Sequence, residues 1–241
     1  MTSAGVLYLI PCPIAADGEL TLSPRAVEVA RTTEIFIVER AKTARHFIKS
    51  LGPVRPLQEL TFWELPVDSP PTAAILAMEE AVKSGKNVGI LSEAGCPGVA
   101  DPGGAVVAAA HRTGVRVVPL VGPSSVLLAL MVSGMNGQQF SFHGYLSPKR
   151  PELLRDLKRL EALAAQKDHP TQLFIETPYR SQMVVETAME ALNMETVFGM
   201  AQALTAAQEQ VYVQPVRIWK KQPVSVLHKT PAVFMIGRFL H

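Results

Sequence analysis

Short apolar runs alternate with amphipathic segments along the first half of the chain. Residues 5–10, 34–39, 87–91 and 114–120 are rich in Val, Ile and Leu, a composition typical of strands buried on both faces. Helices are predicted between these runs, one beginning at Ser23–Pro24 and the others over residues 42–51, 70–84 and 104–112. This alternation predicts a mostly parallel sheet with helices on both of its faces.

The second half of the chain has a more varied pattern. Helices are expected at residues 125–133, 151–166 and 180–192, and strands at 140–148, 171–176, 195–203, 210–216 and 232–239. Residues 210–214 alternate polar and apolar side chains, which predicts an antiparallel strand with one face in water. The predicted fold class is therefore α/β. A mostly parallel N-terminal domain is expected over residues 1–121, and a C-terminal domain with a mixed sheet over 122–241.

Loops of small residues and proline follow several of the predicted strands. The longest covers residues 92–103 and comes directly after the predicted strand at 87–91. In open parallel sheets, ligands bind at the carboxyl ends of the strands. Similar loops are found at residues 11–15, 122–125, 144–148 and 177–178. Small residues leave backbone N–H and C=O groups accessible, so these loops form either a ligand site or simple tight turns.

Composition and charge narrow the class of protein. With 241 residues and 48% hydrophobic content, the chain can build one large or two modest domains. The net charge of +2 neither indicates nor excludes nucleic acid. Cys12 and Cys96 are too few for a disulfide framework or a four-ligand zinc site, so we expect no metal and a reducing cytoplasm. No apolar run reaches the length of a membrane span, so we expect no membrane partner.

Common catalytic fingerprints are missing from the sequence. No GxGxxG follows the first predicted strand, no Walker spacing surrounds Lys86, and no GxSxG elbow occurs. The sequence therefore gives little support to a standard dinucleotide-binding, ATP-binding or serine-hydrolase function.

Four motifs in a fixed order resemble one known family. They cover residues 92–103, 117–126, 142–149 and 174–180. In this order and spacing the chain resembles the tetrapyrrole (corrin/porphyrin) methylase superfamily, and within it the branch of the ribosomal RNA small subunit methyltransferases I. The resemblance implies a homodimer that holds S-adenosylmethionine in a cleft between its two domains, with adenosylhomocysteine as product. It also implies methylation of a ribose 2′-hydroxyl of 16S RNA in the small ribosomal subunit.

The resemblance also assigns contact residues. The implied cofactor-binding residues are Pro13, Ser92, Glu93, Ala94, Gly95, Cys96, Val99, Ala100, Ser124, Ser125, Leu146, Glu176, Thr177, Pro231 and Ala232. Methyl transfer depends mainly on holding donor and acceptor in line, about 3 Å apart. A ribose hydroxyl also has to lose its proton. Glu39 and Glu93 are candidate proton acceptors, or else ordinary carboxylates at a strand end and in a loop.

The sequence departs from the ribosomal branch at positions expected near the acceptor. Arg40–Ala41 stands where that branch has an acidic and a hydroxyl residue, and residues 204–210 stand where it has a Lys-His-Glu-Glu cluster. Pro231–Ala232 resembles tetrapyrrole methylases more than the ribosomal branch. Methyl transfer is therefore better supported than ribosomal RNA as substrate. A tetrapyrrole or other small molecule is the alternative acceptor, and a non-catalytic cofactor-binding member is the alternative class.

A basic segment bears on the identity of the acceptor. Lys149, Arg150 and Arg155 are candidate contacts to the phosphates of a substrate. The alternative is a solvated helix face whose cations pair with neighbouring carboxylates. No aromatic residues interleave with these cations, so the segment itself gives no support to base stacking.

Overall fold

The chain folds into two compact units. The computed structural model describes residues 4–15, 21–222 and 225–239. Unit 1 runs to Ser124 and unit 2 begins at Ser125, whereas the sequence pattern put the boundary after residue 121. No helix in the described ranges combines the length and apolar character needed to cross a membrane.

Unit 1 is a five-stranded parallel sheet with helices between its strands. The strands are β1 (Leu7–Ile10), β2 (Ile35–Val38), β3 (Thr61–Glu64), β4 (Val88–Leu91) and β5 (Val117–Pro119), in the order β3-β2-β4-β1-β5. The helices are α1 (Pro24–Thr32), α2 (Ala41–Leu51), α3 (Thr72–Lys83) and α4 (Gly104–Arg112), with a 3₁₀ turn at Leu57–Glu59. Every strand pair in this sheet is parallel, which confirms the predicted N-terminal architecture.

Local signals account for the ends of the first two helices. Ser23 caps α1 by accepting a hydrogen bond from the Ala26 N–H at 3.2 Å, and Pro24 is the first helical residue. Gly52 ends α2 in the left-handed conformation, with φ of 67°. Adjacent residues Phe36 and Ile37 are both fully buried although they point to opposite faces of the sheet, so both faces are covered.

Strand β3 and the start of helix α3 differ from the predicted pattern, and strand β5 begins at Val117 instead of residue 114. Strand β3 was not predicted, because its sequence Thr-Phe-Trp-Glu is mostly exposed at the edge of the sheet. Its Phe62 stacks on Phe36 with ring centroids 5.2 Å apart, so this ring belongs to the core. Helix α3 begins at Thr72 rather than at residue 70, because two prolines precede it.

Unit 2 contains a mixed sheet, as predicted. Its strands are β6 (Phe140–Tyr145), β7 (Thr171–Glu176), β8 (Val197–Gln202), β9 (Gln210–Pro215) and β10 (Ala232–Gly237), in the order β6-β7-β10-β8-β9. Strands β6 and β7 are parallel and the remaining pairs are antiparallel. The helices are α5 (Ser125–Ser133), α6 (Arg150–Ala164), α7 (Ser181–Ala191) and α8 (Val216–Lys221).

The core of unit 2 is built around three stacked phenylalanines on neighbouring strands. Phe234 lies 5.2 Å from Phe174 and 5.8 Å from Phe198, measured between ring centroids. Trp219 on the unpredicted helix α8 packs on this group and donates its indole N–H to the Phe198 carbonyl at 2.9 Å. Strand β9 is antiparallel as predicted, but all its residues are half-buried, so the expected wet face is not found.

Candidate active site

Three loops meet at the carboxyl edge of the parallel sheet in unit 1. Cys12, after β1, and Gly95, after β4, exchange two backbone hydrogen bonds of 2.9 and 3.0 Å. The Ser92 hydroxyl also donates to the Gly95 carbonyl at 2.9 Å, and Gly95 has a left-handed φ of 74°. The loop after β4 is therefore fixed against the loop that contains Pro13.

The third loop, after β5, packs closely against the first two. A Cβ added at Gly122 would lie 2.2 Å from the Cβ of Pro11, so only glycine fits there without movement. Cys96 donates its thiol hydrogen to the Pro123 carbonyl at 3.2 Å. Ser124, which closes this loop, is the last residue of unit 1, and Ser125 is the first residue of α5.

Small residues of the loop after β4 face solvent. Ala94, Val99 and Ala100 are exposed, and Val99 is 51% accessible. The Asp101 carboxylate closes the following turn by accepting the N–H groups of Gly98 and Gly103 at 3.4 and 3.0 Å. The loop thus presents small apolar side chains and open backbone, which fits the nucleoside part of the cofactor that the resemblance implies.

Three carboxylates converge beside this loop. The Glu93 N–H donates to Glu39 at 3.4 Å, and the Glu93 carboxylate accepts the Thr43 hydroxyl at 2.5 Å. Burial, followed by a hydrogen bond to Asp101, raises the pKa of Glu39 to about 7. Near neutral pH, Glu39 is therefore able to accept or donate a proton. The sequence indicated both glutamates, but the pairing with Asp101 emerges only in the fold.

The two cysteines near these loops are free and have different partners. Burial raises the pKa of Cys12 to about 12, and its hydrogen-bond partner is Ser92. Burial also raises the pKa of Cys96, whose thiol is bonded to the Pro123 carbonyl instead. Both thiols are therefore protonated at neutral pH and act as small packing residues.

The corresponding edge of unit 2 is organised by Arg180. Its guanidinium lies 3.1 Å from the buried Glu176 carboxylate and donates to the Ser147 carbonyl at 2.9 Å. The Thr177 N–H donates to the same Glu176 side chain at 2.7 Å. Leu146 is buried beside Ser147. The predicted contacts on β7 and on the loop after β6 are thus joined through one side chain.

A buried glutamine shapes the approach to β10. Ala232 is paired with Glu176 on one side and with Gln202 on the other. The Gln202 amide donates to the carbonyls of Leu227 and Thr230 at 3.2 and 3.1 Å and accepts the Leu227 N–H at 2.9 Å. Sequence reasoning missed Gln202, because it opens a stretch whose periodicity is weak. Pro231 is exposed where this segment joins β10.

The structure pairs two of the three candidate phosphate contacts with carboxylates. Lys149 lies 3.6 Å from Glu152, and Arg150 lies 3.0 Å from Glu190. Arg155 is exposed and has no ion pair among the described residues. Within the same described ranges, no three His, Cys, Asp or Glu side chains are grouped closely enough to hold a metal ion.

Comparisons with known proteins bear on both units. A sequence model of the tetrapyrrole (corrin/porphyrin) methylases matches residues 6–218. A ribosomal RNA small subunit methyltransferase I of Xylella fastidiosa is 32% identical over 209 residues, which are 87% of this chain and 70% of the relative. The Leptospira biflexa protein of the same name is 31% identical and covers 91% of this chain and 86% of its own length.

Solved structures with low sequence identity share the fold. A uroporphyrin-III-C-methyltransferase from Thermus thermophilus has a TM-score of 0.58 at 19% identity, covering 98% of this chain and 93% of its own. A structure of the same enzyme complexed with S-adenosylhomocysteine has a TM-score of 0.53 at 16% identity, with 97% of each chain covered. A diphthine synthase has a TM-score of 0.64 at 15% identity, covering 98% of this chain and 92% of its own.

Proposed function

This chain is a methyltransferase of the tetrapyrrole (corrin/porphyrin) methylase family, and we propose that it methylates a ribose 2′-hydroxyl of small-subunit ribosomal RNA with S-adenosylmethionine. The observation that carries the proposal is the loop from Ser92 to Ala100, held by the bonds of Ser92, Gly95 and Cys96, with Glu39 beside it. The names of relatives about 30% identical over most of the chain support the RNA acceptor.

The proposed cofactor supplies an electrophilic methyl group. In unit 1 the residues that would hold it are those of the fixed loops, namely Pro13, Ser92, Glu93, Ala94, Gly95, Cys96, Val99, Ala100 and Ser124. Exposed backbone and small side chains suit the adenosine, and the nearby carboxylates favour a cationic sulfonium. The contacts predicted for unit 2 are Ser125, Leu146, Glu176, Thr177, Pro231 and Ala232, and they remain predictions.

Glu39 is the proposed acceptor for the hydroxyl proton. A base is most effective when its pKa is near the working pH, and Glu39 has a pKa of about 7. Glu93 donates a backbone N–H to the ionised Glu39 and is itself held by Thr43, so it is proposed to position the base. Proton transfer to Glu39 would leave its new hydrogen shared with Asp101.

The acceptor separates two candidate functions. The Pro231–Ala232 segment and the altered residues at 204–210 favour a tetrapyrrole or another small molecule. Labelled methyl transfer from S-adenosylmethionine to isolated small ribosomal subunits, compared with transfer to an RNA-free extract, distinguishes the two. Label in the ribosomal RNA supports the proposal, and label only in the RNA-free fraction contradicts it.

The cofactor is tested independently of the acceptor, and the base is tested with the RNA acceptor. Isothermal titration should detect adenosylhomocysteine binding, and the absence of binding would overturn the cofactor assignment. With the RNA acceptor, Glu39→Gln should remove the rise in turnover near pH 7 and leave adenosylhomocysteine affinity close to wild type. Glu59→Gln, which changes a carboxylate in an exposed pair with Arg55, is the matched control.

We also propose a homodimer in the cytoplasm, where ribosomal RNA is located. Met131 and Val132 on α5 are apolar and are 75% and 47% exposed. Their exposure supports a contact between two copies of the chain at this helix. Light scattering on the purified protein tests the dimer directly, and a monomer at micromolar concentration contradicts it.

A further inference from the structure

Two exposed tyrosines lie at the carboxyl edge of the sheet in unit 2. Tyr145 is the last residue of β6 and is 61% accessible, and Tyr179, in the turn after β7, is 74% accessible. Strands β6 and β7 are parallel neighbours, so the segments that follow them emerge at the same edge. Large aromatic side chains exposed at such an edge are typical of binding surfaces.

The backbone that carries both rings is fixed. The Arg180 guanidinium joins the Ser147 carbonyl, two residues after Tyr145, to the buried Glu176 carboxylate, three residues before Tyr179. The rings are therefore presented on ordered backbone, which lowers the entropy lost when a ligand stacks on them.

A basic turn lies beside Tyr179. The rings of His228 and Tyr179 meet edge to face with their centroids 6.2 Å apart. The next residue, Lys229, is exposed and forms no ion pair within the described part of the chain. Gln202 holds this turn in place through its bonds to Leu227 and Thr230. An exposed cation thus directly follows the residue whose ring contacts Tyr179, although the two segments are far apart in the sequence.

We propose that Tyr145, Tyr179, His228 and Lys229 form a stacking surface for an unpaired segment of the acceptor RNA. This inference rests on the proposed function, because it assumes an RNA acceptor. Aromatic rings stack on any base, and a neighbouring cation holds the phosphate backbone, which is the usual chemistry of single-strand recognition. Of the three candidate phosphate contacts, Lys149 and Arg150 are paired with carboxylates and Arg155 is not, so the stacking surface adds an RNA contact to that segment and does not replace it.

Binding of a fluorescent single-stranded oligoribonucleotide to the full chain tests the surface. The probe is about ten nucleotides long, within the usual site size of single-strand binders. Tyr179→Ala and Tyr145→Ala should each weaken binding by roughly 5- to 100-fold. Tyr179→Phe should keep most of the affinity, since the ring remains. Phe140→Ala is the matched control, because Phe140 is 41% exposed at the start of β6, on the opposite edge.

The salt dependence of binding tests the cation. The slope of log affinity against log salt is negative, and Lys229→Ala should reduce its magnitude by about 0.7. Lys86→Ala, an exposed lysine just before β4 in unit 1, should leave the slope unchanged. Equal affinities of Tyr179→Ala and Phe140→Ala for the probe would overturn the stacking surface, as would the absence of any binding by the wild type.

Two further measurements separate this inference from the function on which it rests. If small ribosomal subunits are methylated at wild-type rates by both tyrosine variants, the surface is wrong and the function stands. If the probe binds as predicted but only the RNA-free fraction is methylated, the function fails while the surface binds RNA. If Tyr179→Ala loses adenosylhomocysteine in the same proportion as RNA, the ring belongs to the cofactor site and the inference is wrong.

Discussion

The carboxyl edges of the two sheets are built in different ways. In unit 1 the loops are joined by the backbone bonds between Cys12 and Gly95 and by the close packing of Gly122 on the Pro11 ring. In unit 2 the loops are held by the hydrogen bonds of two side chains, Arg180 and Gln202. Substitutions that add atoms should therefore destabilise the edge of unit 1 most, and substitutions that remove polar side chains should destabilise the edge of unit 2 most.

This difference follows from the two kinds of sheet. In the parallel sheet, loops after β1, β4 and β5 leave the same edge side by side, so small residues let their backbones meet. In the mixed sheet, β10 begins at the edge where β7 and β8 end. The segment that enters β10 must be held beside these strand ends, and buried polar side chains supply the necessary bonds.

The largest effect is expected from removing the central cation of unit 2. Arg180→Met leaves the buried Glu176 carboxylate without its ion pair, and we expect a loss of about 3–5 kcal/mol in the free energy of unfolding. Denaturant unfolding measures this loss. Adding Glu176→Gln to Arg180→Met should restore most of it, because the uncompensated charge disappears. No recovery in the double variant would mean that Arg180 acts through its bond to Ser147.

A smaller effect is expected from adding one methyl group to unit 1. Gly122→Ala forces the loops at Pro11 and Gly122 apart, and we expect a cost of about 1–3 kcal/mol together with weaker adenosylhomocysteine binding. The matched control is Gly104→Ala in the first turn of α4, where an added Cβ meets nothing within 4 Å. Equal stability of the two variants would remove the contrast between the edges.

A local cap in unit 1 should matter less. Ser23 accepts the Ala26 N–H and donates its hydroxyl to the Val121 carbonyl at 3.0 Å. Ser23→Ala should lower the free energy of unfolding by about 1 kcal/mol. Ser23→Thr, which keeps both bonds possible, should lower it less. A change of several kcal/mol would show that side chains matter in unit 1 as much as in unit 2.

The smallest effect on stability is expected from Glu39, because this side chain is partly exposed and solvent screens it. Its pKa is raised from the ordinary value of 4.5 to about 7, so the folded state binds the proton more tightly. Its contribution to stability is present below the unfolded pKa and is lost as the pH rises through about 7. Unfolding of wild type and Glu39→Gln between about pH 5 and pH 8 should show this decrease only in the wild type.

Local sequence signals predicted much of the fold. Thr171–Glu176 and Gly104–Arg112 have the limits expected from the sequence, because apolar runs and flanking turn residues define them. The edge strand β3 lacked such a signal, since its side chains are only partly covered. Helix α2 is capped by a residue distant in sequence. Its cap residue Arg40 makes no side-chain cap bond, and Glu64 accepts the Ala41 N–H instead.

The sequence indicates the candidate site only where its residues are contiguous. The order of strands and loops predicts the loop from Ser92 to Ala100 as a ligand site or a tight turn, whereas its cofactor role comes from the family resemblance. Glu39 is one of two candidate proton acceptors. The bond between Arg180 and Ser147, the role of Gln202 and the proximity of Tyr179 to His228 join residues far apart in sequence. No local pattern encodes such pairs, because they depend on strand order and register.

The bridge between Cys12 and Gly95 makes loop opening measurable. Cys12 is 5% exposed, so alkylating reagents do not reach its thiol while the bridge is closed. Burial also raises the pKa of Cys12 to about 12, so the thiol is not ionised at neutral pH and does not react. Labelling of Cys12 under native conditions must therefore wait for an opening event, and its rate reports the free energy of that local opening. A ligand that binds the closed loop slows the labelling in proportion to its occupancy. The chain thus contains a natural chemical reporter at its own site.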